Sequence, residues 1–506
     1  MTEIRASGSK ATSKEWLGLA VIALPCMLYS MDLTVLNLAV PSMAAHLNPS
    51  ASQLLWIIDI YGFMVAGFLM VMGALGDRFG RRKVLLIGAG LFGVLSIIAA
   101  FAQSAEQLIV ARAMLGIAGA TLAPSTLSLI TNMFRDDHER TFAISMWIAS
   151  FSVGAILGPL VGGLLLQYFW WGSVFLIAVP TMLILLMLGP FLLPEFRVAN
   201  PPRLDFISAI LSLAAVLSFI FGVKHGAEYG FGGMSVLAIS LGLSIAGVFI
   251  HRQSRVADPM LDLTLFRSAA FTLSLTINLL ALFFMFGSFI FMAQYLQLVA
   301  GLTPLEAGLW SLPGAIAFTL MSFMNARLTL RFSSLQIFVG SLLLSALGFS
   351  VLLFSSGLYA VVVAMIISSV GFTPVFALTT GYVVGAVPPE KAGTASALIE
   401  TAGELGGALG IALLGSLATL LYRNRMSGVV PMDLSPSVTA ALKSSLAVAT
   451  QTAKSLPTDV AEPLLTAARA AFMTSYHATA ILAAITLTAL ALLASRVLAG
   501  QKVAGH

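Results

Sequence analysis

Apolar stretches alternate with short polar segments along almost the whole chain. A membrane-spanning helix needs about 20 predominantly apolar residues, and windows of this kind predict fourteen spans, numbered here in chain order. The predicted spans lie near residues 16–39, 53–74, 84–102, 107–131, 141–166, 173–193, 204–224, 234–251, 270–296, 308–327, 335–355, 358–386, 393–422 and 474–495. This pattern predicts an all-α integral membrane protein whose helices are joined at the membrane surfaces.

The composition agrees with a membrane protein and excludes several other classes. Hydrophobic residues make up 59% of the 506 positions and charged residues 9%, whereas ordinary soluble domains carry about 25% charged residues. A soluble enzyme or a nucleic-acid-binding protein is therefore excluded, and the lipid bilayer is the expected surroundings. The sequence has no Walker A motif and no metal-ligand spacing of histidines. We therefore expect no catalytic site, metal or cofactor, and an ion gradient or another subunit as the energy source.

The positions of lysine and arginine predict the orientation in the membrane. With the N-terminus in the cytoplasm, most of the 26 Lys and Arg residues fall in cytoplasmic segments, as the positive-inside rule requires. The outer segments then hold Lys224, Arg423, Arg425, Lys443, Lys454 and Arg469. We therefore expect a multi-pass protein with both termini in the cytoplasm.

The chain shows a weak internal repeat. Residues 73–86 and 325–338 each follow the second span of a group of six and form a basic turn. Transporters that work by alternating access often consist of two related halves, with the substrate between them near the membrane midplane. The repeat predicts six-helix halves at 1–200 and 261–506, joined by two inserted spans at 201–260.

The long connection before the last span is expected outside the membrane, at about residues 423–473. Its Ala-rich stretches at 436–452 and 458–472 predict two short amphipathic helices. Two interpretations remain open, a lid over the substrate pathway and a solvated hairpin that only caps the bundle.

Five ionisable residues stand out in the interior of the predicted spans, away from the span ends: Asp32, Asp59, Arg112, Glu400 and Glu404. Each such group costs at least ~2.5 kcal/mol to insert, so each needs a role or a partner. The excess of acids favours a cationic or protonated cargo over an anion. The alternatives are a capping or interfacial Asp32, a solvated Asp59 at the outer end of its span, and glutamates that reach water at a span end.

Glu400 and Glu404 are four residues apart, so they lie on one helix face at a distance of about 6 Å. Two carboxylates in a low-dielectric site rarely stay ionised together, so one of them is expected to carry a proton. A cation that binds there would expel that proton. Competition of a proton and a cation for one carboxylate is the minimal chemistry of an antiporter.

Other residues near these acids have predicted supporting roles. Trp56 and Phe63 flank Asp59 at helical spacing and offer aromatic faces to an organic cation, although Trp56 could equally belong to an aromatic belt at the membrane surface. Arg112 is expected to neutralise an acid on a neighbouring helix or to bond backbone carbonyls, and thereby to control proton binding at Asp32; a purely structural pairing is the alternative.

The fifth span carries a cluster of small residues around one proline. Its sequence SVGAILGPLVGG has the pattern GxxxGPxxGG, formed by Gly154, Gly158, Pro159, Gly162 and Gly163. Glycines at this spacing let two membrane helices touch, and the proline bends the helix. The pattern predicts close helix contacts in this span.

The turn after the second span, GALGDRFGRRK, resembles the signature loop of the major facilitator superfamily. The match rests on Gly73, Asp77, Arg78, Gly80 and Arg82, with Leu75, Arg81 and Lys83 beside them. The resemblance implies that Asp77, Arg78 and Arg82 contact the other half and latch one conformation. The glycine pattern of the fifth span is similar to the motif of the antiporters in this superfamily.

The whole chain resembles the fourteen-helix drug:proton antiporters of bacterial cytoplasmic membranes, and within them the QacA and SmvA type of quaternary ammonium exporter. The likeness rests on the fourteen spans, on MDLTVLNLAVP and LLWIIDIY in the first two spans, and on the long outer loop. It implies a monomer that exports quaternary ammonium antiseptics, cationic dyes and biguanides in exchange for protons. It also implies that the acidic proton- and substrate-binding sites of the family correspond to Asp32, Asp59, Glu400 and Glu404.

One departure from this family concerns the tenth span, SLPGAIAFTLMSFMNARL, which lacks the acid that some members carry there. This puts the handling of dications in question. The open alternatives for function are a proton-coupled exporter of an amino acid, peptide or other metabolite, and a membrane sensor that transports nothing.

Overall fold

The computed structural model describes residues 10–197, 205–256, 259, 261–328, 331–354, 357–385, 392–431 and 434–499. Within these ranges the chain is helical and contains no β-strand. Fourteen helices are long and apolar enough to cross a membrane, which confirms the predicted all-α integral membrane fold and the predicted number of spans.

Eighteen α-helices are found in the described ranges, because two spans are interrupted and two helices are too short to cross a membrane. They are α1 (Ser13–Leu47), α2 (Ala51–Phe79), α3 (Arg81–Ala100), α4 (Ala105–Gly119), α5 (Leu122–Met133), α6 (Asp137–Tyr168), α7 (Ser173–Leu176), α8 (Ala178–Leu192), α9 (Phe206–Tyr229), α10 (Gly233–Gln253), α11 (Ala269–Gln294), α12 (Pro304–Leu328), α13 (Ser334–Phe354), α14 (Leu358–Gly385), α15 (Ala392–Ser427), α16 (Pro436–Ser444), α17 (Leu446–Ala453) and α18 (Thr458–Val497). A 3₁₀ turn (Leu265–Arg267) precedes α11, and a π-helical turn (Tyr295–Val299) follows it.

The helices in the long loop differ from the prediction. The stretch at 458–472 is not a separate amphipathic helix but the start of α18, because no glycine interrupts this 40-residue helix and its only proline, Pro463, lies near its beginning. The stretch at 436–452 forms two helices instead of one. Ser445 breaks it, since its backbone is extended and its hydroxyl accepts a hydrogen bond from the N–H of Val448 to cap α17.

The prediction that Lys224 lies in an outer loop is wrong. The apolar window ended at this charge, but α9 continues to Tyr229 and stops only at Gly230, whose φ of 100° suits glycine. Lys224 is therefore inside the seventh span and is 1% exposed.

An even number of spans places the start of α1 and the end of α18 on one side of the bundle, called here the terminal side; α16 and α17 lie on the opposite, loop side. We name α1–α8 the first half, α9 and α10 the inserted pair, and α11–α18 the second half. The predicted boundaries at 200/201 and 260/261 fall at residues 198–204 and at 257, 258 and 260, which lie outside the described residues. The division into halves therefore stays a prediction.

Contacts between the halves connect α1 with α11, α6 with α12, and α2 with α15. Several of these contacts lie toward the loop side: Gly163 of α6 packs against the carbonyl of Pro304, and the Gln297 side chain donates a hydrogen bond of 3.0 Å to the Leu38 carbonyl. The helix α17 also packs against α1. The loop side is therefore closed by packing between the halves.

The glycines of α6 lie at these helix contacts. A side chain at Gly154, Gly158 or Gly162 would collide with Met27, Thr34 or Val35 of α1, respectively. Pro159 is in contact with the second half through its carbonyl, which lies against Gly308 of α12. The small residues thus let α6 approach α1 on one face and α12 on another.

Candidate functional site

Arg112 of α4 and Asp32 of α1 form an ion pair in the first half. The guanidinium Nη1 lies 2.7 Å from the carboxylate Oδ2, and the two side chains are 1% and 14% exposed. Asp32 is thus neither a helix cap nor a solvated interfacial residue, because it lies in the interior of a 35-residue helix. The structure brings together these two residues that the sequence predicts as partners.

The remaining donors of Arg112 point to α2. Its Nε donates to the carbonyl of Ile57 at 3.2 Å, and Nη2 lies 3.5 Å from the carbonyl of Ile58. The guanidinium also lies 4.7 Å from the centre of the Tyr61 ring. A buried arginine needs such partners, so this arrangement fixes the guanidinium in one position between α1, α2 and α4.

Tyr29 of α1 connects the two halves. Its hydroxyl donates a hydrogen bond to the carboxylate of Glu404 in α15. Tyr29 precedes Asp32 by three residues and so lies on the same helix face, and its ring centre is 6.1 Å from that of Tyr61. Two tyrosines therefore lie between the second-half acid Glu404 and the first-half pair Asp32–Arg112.

The two glutamates of α15 have different surroundings. Glu404 is half-buried between the halves, whereas Glu400, one turn nearer the terminal side, is exposed. In the described residues, neither glutamate has an ion pair with Lys or Arg. Glu400 therefore fits the alternative of a glutamate that reaches water, while Glu404 lies at the contact between the halves.

Asp59 of α2 is paired with Lys224 of α9. The ammonium Nζ lies 2.9 Å and 2.8 Å from the two carboxylate oxygens, and both side chains are fully buried. The ammonium also lies 3.8 Å from the centre of the Trp56 ring, and Phe63 packs edge-on to that ring. The alternative of a solvated Asp59 does not fit this burial, and a cation of the chain itself lies against the acid and the aromatic face that the sequence offers to an organic cation.

A cavity of about 310 Å³ lies between the halves, next to the Asp32 region. Phenylalanine and methionine side chains dominate its lining: Phe151, Met285, Phe286, Phe289, Met292 and Phe318. Ser30 and Thr34, on either side of Asp32 in α1, also line it, as does Ser288, whose buried hydroxyl has no described hydrogen-bond partner. The described lining contains none of the four acids, so the cavity itself is an apolar, aromatic space with hydroxyl groups.

The signature loop is bound within the first half. Asp77 pairs with Arg81 at 2.6 Å, and the Arg81 guanidinium donates to the carbonyl of Pro124. Arg82 lies 3.7 Å from Glu195 and donates to the carbonyl of Leu193. In the part of the loop's surroundings that the structure describes, no ion pair joins it to the second half, and the predicted contact between the halves stays a prediction.

The glycines of the signature loop and its remaining arginine lie against neighbouring residues of the first half. Gly80 separates α2 from α3 with a φ of 114°, and Glu195 fills the space that a side chain would need. Gly73 faces Pro124 of α5. The Arg78 guanidinium is exposed and lies 6.0 Å from the ring of Phe79.

Sequence reasoning missed three residues of this region: Tyr29, Tyr61 and Lys224. The tyrosines carry a usable signal, since a phenol at i−3 from Asp32 or i+2 from Asp59 is a polar group inside an apolar span. Lys224 carries a signal as well, because the residues after it remain compatible with a helix until Gly230.

Comparisons with known proteins agree with this geometry. The sequence pattern of the Major Facilitator Superfamily matches residues 22–411. The chain is 42% identical over 488 residues to the multidrug efflux pump LfrA of Mycolicibacterium smegmatis, covering 96% of each chain. It is 35% identical over 479 residues to the methyl viologen resistance protein SmvA of Salmonella typhimurium, covering 92% of this chain and 94% of the relative.

Solved structures show the same fold. The crystal structure of a bacterial homolog of the human lysosomal transporter Spinster aligns with a TM-score of 0.69 at 17% identity, covering 99% of this chain and all of that chain. A peptide transporter, POT, aligns with a TM-score of 0.64 at 18% identity over 95% of both chains. The predicted resemblance to the QacA and SmvA type of exporter is confirmed by the relatives, and the chain belongs to the major facilitator superfamily, as a membrane transporter and not an enzyme.

Proposed function

We propose that the protein is a proton-coupled antiporter that exports lipophilic organic cations across the bacterial cytoplasmic membrane. The observation that carries this proposal is the position of Glu404: an acid at the contact between the halves whose described partner is the Tyr29 hydroxyl rather than a cation. Asp32 and Asp59 are each neutralised by a basic side chain. Glu404 is therefore the acid at the contact between the halves that is available to exchange a proton for a cation.

The cavity supports a lipophilic cargo. Its aromatic and methionine lining offers dispersion and cation–π attraction to flat or quaternary cations without fixing one shape. The relatives described above are named for multidrug efflux and for resistance to methyl viologen, which is a bipyridinium dication. Quaternary ammonium antiseptics, cationic dyes and biguanides share this chemistry, so we assign them as the substrate class.

The coupling step follows from competition at one carboxylate. A protonated Glu404 keeps the site neutral, and a cation that enters the cavity favours the ionised form and expels the proton. Tyr29 stabilises that ionised form by its hydrogen bond. The Asp32–Arg112 ion pair supplies fixed charges near Glu404. Glu400 lies one helical turn from Glu404 toward the terminal side.

The orientation follows from the charge distribution. The terminal side carries the basic signature loop, including Arg78, Arg82 and Lys83, so we place it in the cytoplasm under the positive-inside rule. The packed loop side then faces outward. The halves are packed together on the loop side, and Glu400 is exposed toward the terminal side. We propose that this conformation loads cargo from the cytoplasm. We also propose that the protein acts as a monomer.

Substrate-induced proton release tests the proposal. Purified protein in weakly buffered detergent with a pH dye is titrated with ethidium or a quaternary ammonium compound. We expect acidification with the wild type, a large loss of it in Glu404→Gln, and wild-type behaviour in the control Glu462→Gln, which removes an exposed acid in the first turns of α18. Equal release from Glu404→Gln would overturn the assignment of Glu404, and no release with any cation would point to a neutral or zwitterionic cargo.

A further inference from the structure

The helix α9 of the inserted pair lies over the seam between the two halves. It packs against α2 of the first half and against α15 of the second half. A buried cluster joins the three helices, with Phe63 from α2, Ile220 from α9, and Ala408 and Ala412 from α15. The halves also touch directly beneath it, where Gly62 of α2 faces Ala408.

The face of α9 toward α2 is held by charged groups. The ammonium of Lys224 contacts both oxygens of Asp59, and neither side chain is exposed. One turn further on, Glu228 accepts a hydrogen bond of 3.0 Å from the backbone N–H of Ser52 at the start of α2. An acid at a helix N-terminus is favourable because the first N–H groups have no partner within the helix. Two directional contacts therefore fix α9 to the first half.

The face of α9 toward α15 is different. In the described parts of these two helices, no hydrogen bond or ion pair joins one to the other. Their contact consists of aliphatic and aromatic side chains around the small residues Ala408 and Ala412. Apolar contacts have no preferred direction, so packed helices can shear past each other by small distances without breaking a bond.

We propose that Asp59 and Lys224 are a positioning pair that fixes α9 to the first half, so that α9 moves with that half and slides over α15 as a seal on the α2–α15 seam. Rocking of one half against the other would open this seam toward the lipid. A helix that is bonded to one half and only in apolar contact with the other keeps the seam covered in both states. In this role Asp59 does not bind cargo or exchange a proton, because the ammonium of Lys224 lies 2.9 Å from Oδ1 and 2.8 Å from Oδ2 and also covers the face of Trp56.

The first experiment compares single and compensated variants. Lys224→Met leaves the Asp59 carboxylate buried without a cation, so we expect a loss of most of the folded yield and a lower melting temperature. The neutral double variant Asp59→Asn with Lys224→Met, and the exchanged variant Asp59→Lys with Lys224→Asp, should recover the yield and retain cation-dependent proton release within about twofold of the wild type. Recovered fold with abolished proton release in the neutral double variant would overturn the proposal.

The second experiment uses cross-links, in a background where the one native cysteine, Cys26, is replaced by alanine. A pair at Gly67→Cys and Leu213→Cys joins α2 to α9, since the Leu213 side chain fills the space at Gly67. A matched pair at Ile220→Cys and Ala412→Cys joins α9 to α15. With a short bifunctional thiol reagent, we expect transport to survive the first link and to be lost with the second, and to return when a reducible link is cleaved.

Any other pattern contradicts the seal. Transport blocked by the α2–α9 link would mean that α9 moves relative to the first half, and transport that survives the α9–α15 link would mean that no sliding is needed. These outcomes are separate from failure of the proposed function. If the wild type moves no organic cation, the pair is judged by the folded yield and melting temperature of the single, double and exchanged variants, which need no cargo.

Discussion

The hydroxyl of Tyr29 in the first half donates a hydrogen bond to the carboxylate of Glu404 in the second half. This bond joins two residues 375 positions apart in the chain, and it lies on the same face of α1 as the Asp32–Arg112 ion pair. The acid proposed to exchange a proton is thus hydrogen-bonded to the helix of the opposite half that carries Asp32. If the halves rock against each other as proposed, we expect this hydrogen bond to change with the conformation and so to connect it with the occupancy of Glu404.

Replacing Tyr29 by phenylalanine should weaken cation binding while the fold is retained. A hydrogen bond to a charged group contributes about 1.5–3 kcal/mol, so the ionised form of Glu404 that receives the cation loses stabilisation equivalent to roughly 10-fold in affinity or more. Equilibrium binding of a fluorescent cation to the purified variant measures this change. Tyr359→Phe, which removes an exposed phenol, is the control and should bind as the wild type does.

The Arg112 side chain should contribute to stability more than its charge alone suggests. Arg112→Ala leaves Asp32 without its cation, and loss of one partner of a buried ion pair costs about 3–5 kcal/mol. Arg112→Lys keeps the charge but cannot reach both Asp32 and the carbonyls of Ile57 and Ile58, so an intermediate loss is expected. Thermal unfolding in detergent should rank the wild type above Arg112→Lys and Arg112→Lys above Arg112→Ala. Equal melting temperatures for all three would show that the pair does not stabilise the fold.

The number of spans and the acids inside them could be predicted because hydropathy over about 20 residues and the cost of a buried charge are local properties of the sequence. The partners of those acids were harder to predict from the sequence. Asp59 and Lys224 are 165 residues apart, and their contact depends on how α9 packs against α2. A window that stops at the first charge places Lys224 in a loop, whereas α9 continues past it and Asp59 neutralises its charge. The prediction that a loop helix ends at 472 was wrong for a related reason. Hydropathy alone does not mark a helix boundary where no glycine or proline interrupts the chain.

The glycine at 158 should be intolerant of a larger side chain. A Cβ there would overlap the Thr34 hydroxyl in α1, and overpacking typically costs about 1–3 kcal/mol. We therefore expect Gly158→Val to lower the melting temperature and the transport rate. Gly247→Val in α10 is a matched control, because nothing lies within 4 Å of a Cβ at that position. A Gly158→Val protein as stable and active as the control would contradict the close packing of α6 on α1.

The signature loop should affect transport more than stability. In this conformation Arg82 and Glu195 are 31% and 26% exposed, and such exposed pairs contribute about 0–1 kcal/mol. Arg82→Ala should therefore unfold within a few degrees of the wild type. If Arg82 contacts the second half in the opposite state, as the family resemblance implies, the same variant should lose most of its transport because that state is no longer latched. Lys83→Ala, which removes an exposed neighbouring cation, should retain transport. Parallel losses of stability and transport in Arg82→Ala would instead assign this arginine to the fold of the first half alone.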